Sequence, residues 1–248
     1  MSDALRLFGT RVIVTAAADG IGEAVVRTFI KQGAVVFAVD RPDSGIDTQF
    51  RSLKGVTPHA HAAMDEEGAE AVVAAATEVL GGLDVVVNIG ALQPKSPLGD
   101  SAQIDSFVSK KIRAYSTLTR AALPHLERSP AGRVVNIGCL RSAFAKDSAD
   151  AFGASERTLA DLTGRLAREA GPDGITVNYV QPGAVMTPAS RRVFNDDKGL
   201  RDYCIERSAA KRLGEPVDVA KVVLFLASDD AVFVSGTGIV VDGGSARA

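Results

Sequence analysis

Two sets of residues in this sequence have types and spacings that could do chemistry. The first is the small-residue turn Ala16-Ala-Ala-Asp-Gly-Ile-Gly22, which follows the β-branched run Arg11–Thr15 and leads into an apolar-periodic stretch to about Gln32. In a strand–turn–helix unit, Gly20 would let the backbone approach a pyrophosphate and Gly22 would let the helix pack on the strand. The run Ala34–Asp40 then ends in an acid, 18 residues after Gly22. A carboxylate there can accept hydrogen bonds from ribose hydroxyls, and it would repel a 2′-phosphate. Taken alone, the glycines also suit a plain strand-to-helix turn, and Asp40 also suits a strand-end turn.

The second set is titratable. Lys111, Tyr115, Cys139, Glu156 and Tyr203 are the groups that could share one cleft. Lys111 lies on the apolar stripe Ile104, Phe107, Val108, Ile112, Tyr115, Leu118 and Ala122, so it points inward and needs a partner or a water path. Glu156 lies on the stripe Phe152, Leu159, Thr163 and Ala167 of a later helix. Cys139 has apolar neighbours, which give no reason for a reactive thiolate. His59 and His61 alternate on a strand without a third ligand nearby, so no metal site is expected.

The elements that would position these groups alternate. Strands are expected at 11–15, 34–40, 57–63, 83–88, 132–137, 174–180 and 234–244. Helices are expected at 20–32, 67–80, 100–126, 149–170 and from Arg212 to Ser228. Strands alternating with helices predict a single α/β domain over 1–248, Rossmann-like, with a doubly wound parallel sheet of about seven strands and helices on both faces. The polar segment 184–210 reads as a substrate lid. Hydrophobic residues make up 46 % of the 248, enough for a large core. The net charge of −2, with no basic run, argues against a nucleic-acid or membrane-surface partner. Two distant cysteines suit a reducing, cytoplasmic setting, and no apolar run reaches membrane-spanning length.

Several segments carry a family resemblance. They are the glycine turn after Thr15, Asn88-Ile-Gly-Ala91, Gly132-Arg-Val-Val-Asn-Ile-Gly-Cys-Leu-Arg-Ser142, Phe152-Gly-Ala-Ser-Glu156, Gln181-Pro-Gly-Ala-Val-Met-Thr187-Pro, and the closing Val234–Gly244. Their order and spacing resemble the short-chain dehydrogenase/reductase family over nearly the whole chain. The resemblance implies a nicotinamide dinucleotide contacted by Thr15, Gly20, Ile21, Gly22, Asp40, Asp65, Asn88, Gly90, Pro182, Gly183 and Thr187, with Asp65 reaching the adenine. Asp19, where phosphate-preferring relatives often carry a base, joins Asp40 in favouring NAD over NADP. Ala16 replaces the motif's first glycine, a mild loss if the turn needs no positive φ there.

At the reacting positions the family's Asn, Ser, Tyr and Lys are here Lys111, Cys139, Phe152 and Glu156. Phe152 has no proton to transfer, and Glu156 removes the cation that binds the ribose. The sequence therefore predicts a non-catalytic subunit of this fold, with NAD(H) binding weakened or lost, in a homo- or hetero-oligomer that could include an intact relative. Relatives make such contacts with the outer faces of helices 100–126 and 149–170 and with the closing strand. An active NAD-dependent oxidoreductase of an alcohol or ketone, with relocated acid–base groups, remains the alternative. A lyase or isomerase using Cys139 or Glu156 is a more distant one. Lys111 and Glu156 are expected to form a compensating salt bridge, the other outcome being a Lys111 that snorkels outward and a solvated Glu156.

Overall fold

A computed structural model describes residues 5–18, 20–61, 65–90 and 96–245. Its chain runs β1 (Arg11–Thr15), α1 (Gly20–Lys31), β2 (Val35–Asp40), a short α2 (Ile46–Gln49), β3 (Val56–Ala60), α3 (Glu66–Leu80), β4 (Val85–Asn88) and α4 (Ser101–Leu126). There follow β5 (Arg133–Ile137), α5 (Ala149–Ala170), β6 (Thr176–Pro182), α6 (Pro188–Asp196), α7 (Lys198–Arg207), α8 (Pro216–Ala227) and β7 (Gly238–Val241).

The strands form one sheet of seven in the order β3-β2-β1-β4-β5-β6-β7, and every pairing is parallel. The reason lies in the strands themselves. β1, β4 and β5 are valine-rich and buried along almost their whole length, as strands covered on both faces must be. One apolar layer seals the sheet under α1 and α8 through Ile21, Val25, Phe29, Val219 and Val223. The other lies under α3, α4 and α5, around Val72, Tyr115, Leu118, Leu159 and Leu166. The order reverses between β1 and β4, and a crevice at such a switch point is where open α/β sheets bind ligands.

The departures from the expected boundaries have local causes. β3 ends at Ala60, and residues 62–64 lie outside the described set. The last helix starts at Pro216 because Glu215 and Asp218 form a capping box, which leaves 212–215 as an extended lead-in. The segment expected as a lid folds into α6 and α7, started by the side chains of Thr187 and Asp197. α2 has only four residues and no expected counterpart.

The turn after β1 corrects one expectation. Ala16 does take a positive φ, 49°. The family's glycine at this point therefore met a real backbone demand, and alanine holds the left-handed conformation at a cost of about 1–2 kcal/mol. Gly22 is demanded more strongly, since a Cβ there would lie 1.9 Å from the Ala16 carbonyl oxygen. Ala16→Gly should relieve the strain while adding some unfolded-state freedom, for a net stabilisation of about 1 kcal/mol. Urea unfolding of the two proteins checks this, and a variant less stable than the parent would show that the turn is not strained.

Candidate functional site

The sequence-assigned residues gather at the carboxyl ends of the central strands, but many turn out to have structural tasks. Thr15 Oγ1 accepts from the Ile89 backbone N–H at 3.0 Å, which joins the ends of β1 and β4. Ile21 and Gly22 are buried in the first turn of α1. Gly20 has φ 55°, and a Cβ on it would lie 3.0 Å from Thr187 Cβ and Cγ2, so the room left by the missing side chain is taken by Thr187. Thr187 itself caps α6, its Oγ1 accepting from Ser190 N at 3.0 Å. Gly183 closes against the end of β7, where a Cβ would meet Asp242 Cβ at 2.6 Å, and Pro182 ends β6 beside it.

The acids divide. Asp40 sits at the end of β2 with Oδ2 accepting from Ala18 N at 2.9 Å and Oδ1 from Arg41 N at 2.7 Å. Oδ2 is thereby held against the glycine turn, and each oxygen keeps a further lone pair. Asp65 is the N-cap of α3, its Oδ1 accepting from Gly68 N at 3.0 Å, so one oxygen of the carboxylate placed by resemblance at the adenine serves a helix start. Asp19 and Ala91 lie outside the described residues.

Asn88 is buried, and its amide nitrogen donates to Asn136 Oδ1 at 2.9 Å and Thr119 Oγ1 at 3.0 Å. Asn136 in turn donates to Thr163 Oγ1 at 3.2 Å. This chain of amides and hydroxyls ties β4 and β5 to α4 and α5. Gly90 has φ 57°, and a Cβ there would stand 3.1 Å from Tyr115 Cε1, so a larger residue would collide with the tyrosine ring.

At the reacting positions, Lys111 is buried as its helical stripe requires. Its Nζ donates to the Ile89 carbonyl at 2.7 Å and lies 4.8 Å from the Tyr115 ring centroid. The Tyr115 hydroxyl lies between the Ile89 and Ile137 carbonyls. Burial pulls the Lys111 ammonium down to about 8, against a small opposing pull from Cys139. Burial also pushes the Cys139 thiol up, outweighing Lys111 and the hydrogen bond to Ser155, so Cys139 is a thiol at neutral pH. Cys139 is only 3 % exposed, in an apolar cluster with Ile104, Val108 and Phe144 against which Phe152 packs. The Phe152 ring packs edge-on against Phe144 at 5.7 Å between centroids.

Glu156 faces elsewhere. With Phe152 it lines a cavity of about 500 Å³ between α5, the ends of β6 and β7, and α7. The expected salt bridge is not found: among the described residues, Lys111 and Glu156 are not ion-paired with each other. The physical reason is that the carbonyl of Ile89, just past the end of β4, and the Tyr115 ring solvate the ammonium, while the carboxylate opens to the cavity.

Two residues at the site had escaped notice in the sequence. Gln181 is buried and donates from Nε2 to the Cys139 and Pro182 carbonyls, both at 2.9 Å. Its signal was a polar residue inside an apolar strand. Arg141 is 8 % exposed and donates to the carbonyls of Phe144, Ala145 and Lys146, pinning that loop. No signal in the sequence separated it from a surface arginine. No group of three or more metal-ligating side chains occurs among the described residues, and none of their helices is long and apolar enough to cross a membrane.

An all-parallel seven-stranded sheet with helices on both faces, a glycine turn and a strand-end acid at its carboxyl edge defines a Rossmann-like α/β fold. The comparisons with known proteins agree. The family model described as enoyl-(acyl carrier protein) reductase matches residues 15–246. Human dehydrogenase/reductase SDR family member 4 is 32 % identical over 240 residues, covering 94 % of this chain and 86 % of that protein. The 3-oxoacyl-(acyl-carrier-protein) reductase FabG of Thermotoga maritima is 28 % identical, covering 97 % of this chain and 99 % of its own. The crystal structure of hydroxysteroid dehydrogenase from Escherichia coli superposes with a TM-score of 0.84 at 26 % identity, over 99 % of this chain and 100 % of that one. The chain belongs to the short-chain dehydrogenase/reductase family, whose members typically bind NAD(P).

The residues present fit such a cofactor in one half only. Gly22 and the aimed Asp40 carboxylate suit an adenosine diphosphate moiety. The reacting half lacks a proton donor at Phe152 and carries an acid at Glu156.

The buried ammonium makes a pH prediction. Lys111 has a folded-state value depressed to about 8 from 10.5, so between those values the unfolded chain holds a proton that the folded chain has lost. Stability contributed through this group therefore rises with pH across that window. Relative to Lys111→Met, the parent should gain about 3 kcal/mol between pH 7 and pH 10.5. Urea unfolding of both proteins at the two pH values reads this, and a constant difference would mean that the ammonium is solvated.

Proposed function

We propose that this chain is a non-catalytic member of the short-chain dehydrogenase/reductase family, which supports an active relative in a mixed oligomer. The observation that carries the reading is that Cys139 is buried in an apolar cluster while the ring packed against that cluster, Phe152, has no proton to give. In the family the cofactor's nicotinamide supplies or takes the hydride, and a side-chain acid must move the matching proton. Here the described groups at the corresponding positions are a buried thiol, a benzene ring and a carboxylate.

Any dinucleotide held is NAD(H) rather than NADP(H), because Asp40 stands where a 2′-phosphate would be repelled. Glu156 adds negative charge and removes a ribose donor, which weakens binding of either. Calorimetry should show NADP(H) binding more weakly than NAD(H), and equal or tighter NADP(H) binding would remove this assignment.

The second reading, an active NAD-dependent enzyme on an alcohol or ketone, has one observation in its favour. Lys111, with its proton affinity drawn down to about 8, sits at the end of β4 and is tuned as acid–base groups are. The names of the relatives, including a 7alpha-hydroxysteroid dehydrogenase of Bacteroides fragilis, are those of working enzymes. The purified chain should nevertheless show little or no NADH-linked reduction across a broad carbonyl panel. Phe152→Tyr with Glu156→Lys should not fully restore activity, since Cys139 and Lys111 also differ. Robust turnover by the parent would decide for the second reading.

Self- or hetero-association is part of the proposal. β7 is the outer strand of the sheet, and Val232 and Phe233 just before it are largely or fully exposed. Apolar side chains beside an open strand edge favour a twofold contact. Light scattering should show a dimer or tetramer, and a monomer at micromolar concentration would contradict it.

A further inference from the structure

The 500 Å³ cavity carries a charge arrangement that neither the fold nor the absent chemistry explains. Tyr203 on α7 forms part of its wall, and three cations converge on that ring. The Arg141 guanidinium carbon is 5.3 Å from the ring centroid, the Lys146 ammonium 5.5 Å and the Arg207 guanidinium carbon 5.6 Å. Like charges this close repel one another, and a ring face offsets only part of that repulsion. The Arg141 charge is held in place, since four hydrogen bonds to the 144–146 carbonyls pin a guanidinium that is almost fully buried. Those partners are neutral, so the positive charge stands. Among the described residues, neither Arg141 nor Lys146 forms an ion pair.

Asp150, Glu156 and Asp242 also line the cavity, so it is not uniformly positive. Arg157 and Arg212 line it as well, and the cations that gather on one ring are those at Tyr203. The wall next to it is apolar and aromatic, with Phe152 and Tyr179. A ligand matched to both features has an anionic head and an apolar body.

We propose that this cavity binds a small organic anion, a carboxylate or a phosphate ester. Its head would sit beside Arg141 and Arg207, which line the cavity, with the Lys146 charge near the same Tyr203 ring reinforcing them, and its body against Phe152. The geometry suits guanidinium recognition of planar or tetrahedral oxyanions, for which arginine is the preferred side chain. The inference rests on reading the cavity as a ligand chamber that the chain has kept, and it requires no turnover.

Ligand-observed NMR titration of the whole protein tests it, with benzoate, phenyl phosphate and the neutral benzamide as probes. At least one of the two anions should bind saturably below about 10 mM, and benzamide should bind at least tenfold more weakly. A preference for phenyl phosphate would identify the phosphate-ester class, and a preference for benzoate the carboxylate class. Arg207→Gln should weaken anion binding by about tenfold. Lys146→Gln, at an exposed position where folding is not at risk, should weaken it by a smaller factor. Raised salt should weaken it as well. Benzamide binding as tightly as the anions, no anion binding up to about 10 mM, or anion affinity unchanged in both variants would each overturn the proposal. Reduction or oxidation of a bound acid would overturn the non-catalytic reading alone, and binding without turnover would leave both standing.

Discussion

The structure depends on a buried thread of polar groups. Thr119, Asn88, Asn136 and Thr163 pass hydrogen bonds from α4 through β4 and β5 to α5. In a dry helix–sheet seam each of these amides and hydroxyls must find a partner, and each would cost on the order of 1–3 kcal/mol if left without one. Satisfying all of them at once leaves little freedom in how α4 and α5 lie on the sheet. Lys111 and Tyr115 on one helix, and Phe152 and Glu156 on the other, are placed by that constraint. The frame of an oxidoreductase is thus held by residues that take no part in hydride chemistry, which is how the frame can persist while the reacting groups change.

The reacting end has been filled from within. Lys111 and Tyr115 both reach the Ile89 carbonyl, and Tyr115 also reaches the carbonyl of Ile137. A charged amine is expensive to bury, and its depressed proton affinity records that cost. It is tolerated because the end of a β-strand offers an accepting carbonyl and the tyrosine offers a π face. Cys139 in the same region stays a thiol, because burial outweighs the nearby cation. Neither group opens onto the cavity that Glu156 and Phe152 line. The buried ammonium and thiol are thus kept apart from the ligand space, and the titratable candidates that do line it are Glu156 and Tyr203.

That separation gives the two functional readings different physical content. A chain that binds without reacting needs the cavity, the cation cluster around Tyr203 and an outer surface for association. A chain that reacts needs an acid–base group to meet a substrate, and Lys111 does not line the cavity where one would sit. The packing of Phe152 on Phe144 and the burial of Cys139 in the same apolar cluster speak for the first.

The sequence by itself determined the fold and the strand ends at which the candidate residues stand. Valine-rich runs bounded by turns, helical stripes at regular spacing and two glycines before an acid are local signals, and local sterics and burial convert them directly into elements. The stripe holding Ile104, Val108 and Tyr115 was enough to place Lys111 inside. What an inward Lys111 would meet was a different matter, because the carbonyl it donates to, that of Ile89 just past β4, is 22 residues away in sequence. The expected bridge to Glu156 paired two changed residues by analogy, whereas the structure solvates each with what lies nearest. Asp65 and Asn88 show the same limit: an acid or amide at a ligand-binding spacing can equally serve a helix cap or a buried network, and only three-dimensional neighbours decide which. Ala16 shows it in the backbone, where the sign of φ depends on how α1 docks on β1. The cation cluster at Tyr203 was invisible along the chain, since Arg141, Lys146 and Arg207 are brought to one ring by a loop, a helix and the cavity between them.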